Sequence, residues 1–156
     1  MSTAAEQFID ALTGLKAGDL GRLRALAGQP LDASVDAFDL FAGLWWPLRQ
    51  RSARAPRRTV AWLVAKLYAF APVPHAPGVS FATAFSRSAS WNERPDARFD
   101  SILRASLDQI EPLLQHALLE IGRAGRGCDW AALTDDLSAW EIAETRQKWA
   151  DQYLNR

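Results

Sequence analysis

Apolar residues recur at helical spacing along most of the chain and predict a series of α-helices. Thr3 to Glu6 forms a capping-box pattern, in which side chains satisfy backbone N–H groups at the start of the first helix. Asp19 is placed as the cap of a second, short helix, and Pro56 suits the first turn of a later one. Further along the chain, helices are predicted to open at Pro95-Asp96 and after the capping residue Asp129.

The segment from 71 to 95 is the least determined part of the pattern. Pro72, Pro74, Pro77 and Gly78 forbid regular structure in its first half. The alternation from Val79 to Phe85 could form one edge strand, but the same residues fit a helical turn that begins after Ser80. No second strand is available for pairing, so we interpret the segment as a helical turn. The sequence therefore predicts a compact, single-domain, all-α bundle of about six to eight helices spanning residues 1–156.

Composition supports a folded protein. At 156 residues the chain is one domain by length, and nearly half of its residues are apolar, including seven Trp and seven Phe. Met1 to Glu6 lacks the features of a signal peptide, and Pro72, Pro74 and Pro77 interrupt the longest uncharged stretch, Leu67 to Ser86. We therefore expect a cytoplasmic protein without a membrane segment.

Charge is distributed unevenly along the sequence although the formal net charge is zero. Residues 1–39 carry a net charge of −3 and residues 93–156 a net charge of −4, whereas residues 40–92 contain seven basic residues and no acidic one. Six of those seven are arginines, and the planar guanidinium group matches phosphate through two parallel hydrogen bonds. Five of them fall within Arg49 to Arg58, a segment that we interpret as a loop. This pattern favours a phosphate-binding surface over a merely solvated loop.

Patterns typical of enzymes are weak. The sequence has no P-loop, no dinucleotide-binding glycine motif, no C-x-x-C and no H-E-x-x-H. His75, His116 and Cys128 are too widely separated to indicate a zinc site, although a nucleophile built on Cys128 stays open as an alternative. Asp135-Asp136 with Glu141 is interpreted as a solvated helix face rather than a cation site. We expect no metal and no cofactor.

Two tryptophans stand out from the others because they lie next to basic segments. Trp45 and Trp46 are adjacent, so they cannot both face inward on one helix, and Trp91 precedes Arg94. Trp46 and Trp91 could stack on nucleic-acid bases or could anchor a subunit contact.

The order of several short motifs resembles the CasB family, the small subunit of the Cascade RNA-guided interference complex in type I-E CRISPR systems. Phe8 to Leu15 followed by Gly18-Asp19 and Leu23-Arg24 resembles that family's opening helix and its "LRR" turn. The segment Ser88 to Phe99 resembles its "ERRF" element, Cys128 to Trp140 its "DW…L…DL…W" block, and Arg146 to Trp149 its final helix.

The resemblance implies a non-enzymatic, all-helical subunit present as two copies, which binds along the guide RNA–target DNA hybrid and helps to hold the displaced strand. Other Cascade subunits, the guide RNA and the target DNA are its implied partners. Arg24 matches the first arginine of the "LRR" turn, and Arg94 and Arg98 match the later basic element. Ala25 replaces the second arginine of the turn, and Pro95-Asp96-Ala97 separates Arg94 from Arg98.

Residues and resemblance together give one set of expected backbone contacts and two rival functions. The contact candidates are Arg24, Arg49, Arg51, Arg54, Arg57, Arg58, Lys66, Arg87, Arg94, Arg98 and Lys148. One rival is a small helical adaptor whose basic loop docks an acidic protein partner. The other rival is an enzyme that depends on Cys128.

Overall fold

The computed structural model describes residues 2–30, 37–89 and 95–155. Nine α-helices lie within those ranges. They are α1 (Ala4–Thr13), α2 (Ala17–Arg24), α3 (Phe38–Arg51), α4 (Arg58–Phe70), α5 (Phe81–Ser88), α6 (Ala97–Arg104), α7 (Glu111–Arg123), α8 (Trp130–Ser138) and α9 (Ala143–Leu154). In the described ranges the only β-type pairing is an isolated bridge between His75 and Cys128. The predicted all-α class is confirmed, with α5 as a full helix where the sequence predicts a single turn.

The chain divides into two compact units, Met1–Phe70 and Ala71–Arg156. In the first unit α2 packs on α4, and α1 packs on α3. The α4 helix is buried almost all round from Val60 to Leu67, as is typical of a helix at the centre of a core. That residues 1–156 fold as a single domain stays a prediction.

The second unit is built around aromatic side chains. In it α5 packs against α7 and α9, and Trp130, Trp140, Trp149 and Tyr153 are all at most 1% exposed. Two of the buried indole N–H groups reach backbone acceptors: Trp130 Nε1 donates to the Val73 carbonyl and Trp140 Nε1 to the Ala105 carbonyl, both at 2.8 Å. Satisfying these N–H groups offsets the free-energy cost of burying them.

Helix starts agree with the sequence where a short polar side chain stands directly before the apolar pattern. The backbone N–H of Glu6 donates to Thr3 Oγ1, that of Arg98 to Asp96 Oδ1, and that of Ala132 to Asp129 Oδ1. Ser80 caps α5 in the same way, which confirms the helical interpretation of that segment. The prediction for Asp19 was wrong: α2 begins at Ala17, so Asp19 lies in its first turn and acts on the helix dipole instead.

The proline-rich segment is fixed by the loop before α8. The Cys128 N–H donates to the Pro74 carbonyl at 3.1 Å, and the Ala76 N–H donates to the Cys128 carbonyl at 2.9 Å. A Cβ on Gly127 would lie 2.6 Å from the Pro74 carbonyl oxygen, so only glycine permits this close approach.

Candidate nucleic-acid interface

Five arginines surround the junction between α3 and α4. Arg49 and Arg51 lie in the last turn of α3, Arg54 and Arg57 in the connection, and Arg58 is the first residue of α4. The predicted loop from Arg49 to Arg58 is therefore too long, because α3 continues through Pro47 and buries Leu48. All five side chains are exposed, and we call them the arginine surface. Three of the five arginines lie on the helices, and the other two lie in the connection of six residues, 52–57.

The connection between the two helices is anchored by Trp45. Its Nε1 donates to the Pro56 carbonyl at 2.8 Å, while Ala55 and Pro56 are buried. Two local hydrogen bonds stabilise the connection: the Arg54 N–H donates to Ser52 Oγ, and the Ala55 N–H donates to the Ser52 carbonyl. Because these contacts fix the backbone, binding a ligand costs little backbone entropy here, although the exposed arginine side chains still lose rotamer freedom when they are immobilised. The bond from Trp45 spans 11 residues, and no local sequence pattern predicted it.

Four aromatic rings run from the core of this unit to its surface. Trp62 meets Phe41 edge-to-face at 5.1 Å, Phe41 stacks on Trp45 at 5.9 Å, and Trp45 lies 5.9 Å from Trp46. We call these four residues the aromatic row. Phe41 is 1% exposed and Trp46 is 52% exposed, so the row ends in a large apolar side chain in water.

The stretch of sequence that carries the arginine surface, Leu40 to Asn92, contains no carboxylate side chain. The preceding acidic residue, Asp39, forms an ion pair with Arg22 at 2.8 Å. That hydrogen bond is the main cause that holds the pKa of the Asp39 carboxyl below its usual value. Asp39 is therefore ionised and already paired at neutral pH.

Within the arginine surface, Arg49 Nη1 donates to the nearby Ala53 carbonyl at 3.0 Å. Arg24 and Lys66, predicted contact residues of the same unit that lie outside the arginine surface, also make contacts within the protein. Arg24 Nε donates to the Ala69 carbonyl at 2.9 Å, near the end of α4 where carbonyls lack helical partners. Lys66 is 3% exposed, and its Nζ donates to the Gln29 carbonyl at 2.5 Å and lies 5.5 Å from the centre of the Trp62 ring. The structure therefore gives Lys66 a place in the interior, and we leave it out of the proposed interface.

In the second unit, Arg98 and Lys148 are engaged by carboxylates. The Arg98 guanidinium binds Asp96 and Glu120 at distances down to 2.6 and 2.5 Å, and it lies over the Phe85 ring. These carboxylates raise the pKa of Arg98, with the hydrogen bond to Asp96 as the largest cause. Lys148 Nζ donates to Asp136 at 2.5 Å. Both predicted cations are thus neutralised locally.

Of the remaining predicted residues, the structure describes Arg87 alone. Arg87 is exposed in the last turn of α5. Arg94 and Trp91 lie outside the described residues.

Cys128 is poorly placed for nucleophilic catalysis. Its side chain is fully buried, and burial is the main cause that raises the pKa of the thiol to about 12. A thiol with this pKa is protonated at neutral pH, whereas the reactive form is the thiolate. His75 Nδ1 accepts a hydrogen bond from the Trp130 N–H, which is a capping contact at the start of α8. These positions do not support the Cys128-dependent enzyme.

Carboxylates in α8 are engaged within the protein. Asp136 accepts from Trp149 Nε1 at 2.8 Å as well as from Lys148, and its side chain is 12% exposed. The expectation of a solvated helix face was therefore wrong for Asp136, whereas Asp135 and Glu141 are exposed. Nowhere in residues 2–30, 37–89 and 95–155 do three or more His, Cys, Asp or Glu side chains cluster as metal ligands would. Within the same ranges no helix combines the length and the apolar character that crossing a membrane requires.

A family model and the solved structures both relate the chain to Cse2 proteins. The family model of CRISPR-associated protein Cse2 matches residues 19–154. A Cse2-family CRISPR-associated protein from Thermus thermophilus has a crystal structure similar to this one, with a TM-score of 0.78, 29% identity and 100% coverage of both chains. No curated protein sequence matches the chain.

Two more distant crystal structures share the fold. CasB from M. ruber has a TM-score of 0.77 at 22% identity, over 99% of this chain and 94% of that one. CasB from Thermobifida fusca has a TM-score of 0.70 at 18% identity, over 96% of this chain and 94% of that one.

Proposed function

The chain belongs to the Cse2 family of CRISPR-associated proteins, and from this premise we propose that it is a non-enzymatic small subunit of the type I-E Cascade effector complex. In that complex it binds the backbone of nucleic acid without sequence specificity, along the guide RNA–target DNA hybrid and the displaced strand. Its role is to stabilise the open target DNA during antiviral defence. It works in the cytoplasm with the other Cascade subunits and a second copy of itself.

The arginine surface is the observation that carries this proposal. Five exposed guanidinium groups lie around one anchored connection, in a stretch of sequence without an acidic residue. Guanidinium groups bind phosphate through paired hydrogen bonds, and such contacts position a protein on nucleic acid without reading bases. In an RNA-guided complex the sequence is read by base pairing, so a subunit of this kind needs backbone contacts alone.

The experiment compares two variants with the same change in net charge. Arg51→Gln with Arg54→Gln removes two side chains of the arginine surface, whereas the control, Arg123→Gln with Arg126→Gln, removes two exposed arginines of the second unit. The dissociation constant of each protein for a mixed-sequence single-stranded DNA and for an RNA–DNA hybrid is measured by fluorescence anisotropy at salt concentrations from about 50 to 200 mM.

We expect the wild type and the control to show the same steep dependence on salt. Each lost phosphate contact lowers the slope of log K against log salt by about 0.7 to 0.9, so the Arg51/Arg54 variant should lose about 1.4 to 1.8. Equal losses in both variants would mean that binding follows net charge rather than the arginine surface. Absence of salt-sensitive nucleic-acid binding by the wild type would favour the adaptor with an acidic protein partner.

A further inference from the structure

We propose that Trp46 stacks on an unpaired base and so makes the arginine surface selective for single-stranded nucleic acid over duplex. This inference rests on the proposed function and assigns a role to a residue that contributes no charge.

The position of Trp46 on α3 places its ring beside the arginines. Trp46 and Arg49 are three residues apart on one helix, a spacing that brings side chains within about 5–6 Å at Cβ. Both are exposed, and Arg51 follows in the same final turn. A strand whose phosphates bind these arginines would bring its bases within reach of the Trp46 ring.

The other members of the aromatic row restrict the movement of Trp46. Trp45 is fixed by its hydrogen bond to the Pro56 carbonyl and by stacking on Phe41, which is 1% exposed. Trp46 thus lies against a fixed neighbour, with the ring centres 5.9 Å apart, and is 52% exposed. A ring held in this way stacks on a ligand at a low cost in conformational entropy.

Charge favours nucleic acid over a second copy of the chain as the occupant of this surface. A symmetric dimer centred on Trp46 would bring the same patch of both copies together. Each patch carries Arg49, Arg51 and Arg54 in a stretch without carboxylates, so the two copies would repel one another. A polyanion with aromatic bases complements both the charge and the ring.

Selectivity for single strands follows from base accessibility. In a duplex both faces of each internal base are stacked on its neighbours, so no base face is free to stack on Trp46. In a single strand the faces of the bases are accessible, and stacking on an aromatic side chain tolerates any sequence. The arginines should therefore bind both duplex and single-stranded nucleic acid, and Trp46 should add affinity for the single strand.

The test measures binding to three probes of equal length: oligo(dT), the same oligonucleotide with abasic sites at every internal position, and a DNA duplex. The variants are Trp46→Leu, Trp46→Phe and the matched control Phe38→Leu, which removes another exposed aromatic of α3 (55% exposed). Affinities come from fluorescence anisotropy, melting temperatures from calorimetry, and oligomeric state from light scattering.

We expect Trp46→Leu to weaken binding of oligo(dT) roughly 5- to 150-fold, with unchanged affinity for the abasic and duplex probes. Trp46→Phe should lose less because it keeps a ring, and Phe38→Leu should behave as the wild type. Melting temperatures should be unchanged, since Trp46 is half-exposed.

Three outcomes would overturn the inference. The first is that Trp46→Leu loses the same affinity for all three probes. The second is that the wild type binds the abasic and dT probes equally well. The third is that the protein is a dimer that dissociates when Trp46 is replaced. In each of these the arginine-dependent, salt-sensitive binding can persist, and the proposed function then stands without the stacking role. If the wild type binds none of the probes, the proposed function fails as well.

Discussion

Arg98 offers a sharp contrast between a predicted phosphate contact and the contacts that the fold gives it. We expect Arg98→Gln to lower the stability of the fold and to leave nucleic-acid binding unchanged. The guanidinium is held by Asp96 (14% exposed) and Glu120 (27% exposed), and it lies 5.5 Å from the centre of the Phe85 ring.

The size of the effect follows from these contacts. Because Arg98 is 49% exposed, each ion pair is worth about 0.5–1 kcal/mol, and the ring contact adds about 0.5 kcal/mol. The variant should therefore lose about 1.5–2.5 kcal/mol, which for a chain of this length corresponds to a melting temperature lower by roughly 3–10 °C. The matched control is Arg104→Gln on the same helix. Its pair with Asp100 is 79% and 60% exposed, so the control should shift the melting temperature by less than about 2 °C.

The stability difference should also depend on pH. Arg98 lowers the pKa of the Asp96 carboxyl in the folded state below its ordinary value of 3.8. A lowered folded-state pKa contributes stability that is fully present above the unfolded value and is lost as the pH falls through the folded value. The melting temperatures of wild type and Arg98→Gln should therefore differ at neutral pH and converge at pH values below 3.8.

Scanning calorimetry at several pH values and a salt titration of DNA binding test the two halves of this reasoning. If Arg98 contacts phosphate, as the family resemblance implies, the salt slope should fall by about 0.7–0.9 in the variant. An unchanged melting temperature together with a lower salt slope would refute the structural role.

Two further predictions concern buried polar groups. Lys66→Met should lower the melting temperature by roughly 2–4 °C in calorimetry, because the Gln29 carbonyl loses a charged donor but keeps the hydrogen bond from Trp62 Nε1 at 3.2 Å. The same variant should not change the salt slope of DNA binding, and a reduced slope would place Lys66 at the interface. Cys128, with its buried thiol and a pKa raised to about 12, should resist Ellman's reagent at mildly alkaline pH in the native protein and react fully in denaturant. Rapid reaction of the native protein would contradict this.

The order and type of the elements could be predicted from the sequence, because helical periodicity and capping are local. Thr3, Asp96 and Asp129 each bond to an N–H two or three residues away, and that range lies within what a sequence pattern contains. Element ends depend also on packing, which the local pattern does not contain. The predicted loop begins at Arg49, whereas α3 continues through Pro47 as far as Arg51 and buries Leu48 in the core.

The basic stretch was also visible in the sequence, since a count of charges needs no coordinates. Which cations are held within the protein was decided only by the tertiary structure. Lys66 reaches a carbonyl 37 residues away and Arg98 a carboxylate 22 residues away. Arg49, Arg51 and Arg54 are exposed beside a short connection, where Arg49 reaches the Ala53 carbonyl only four residues away. Sequence gives the number and type of charges, but the packing of distant segments determines which of them are neutralised, because Coulomb attraction and hydrogen bonding depend on distance in space.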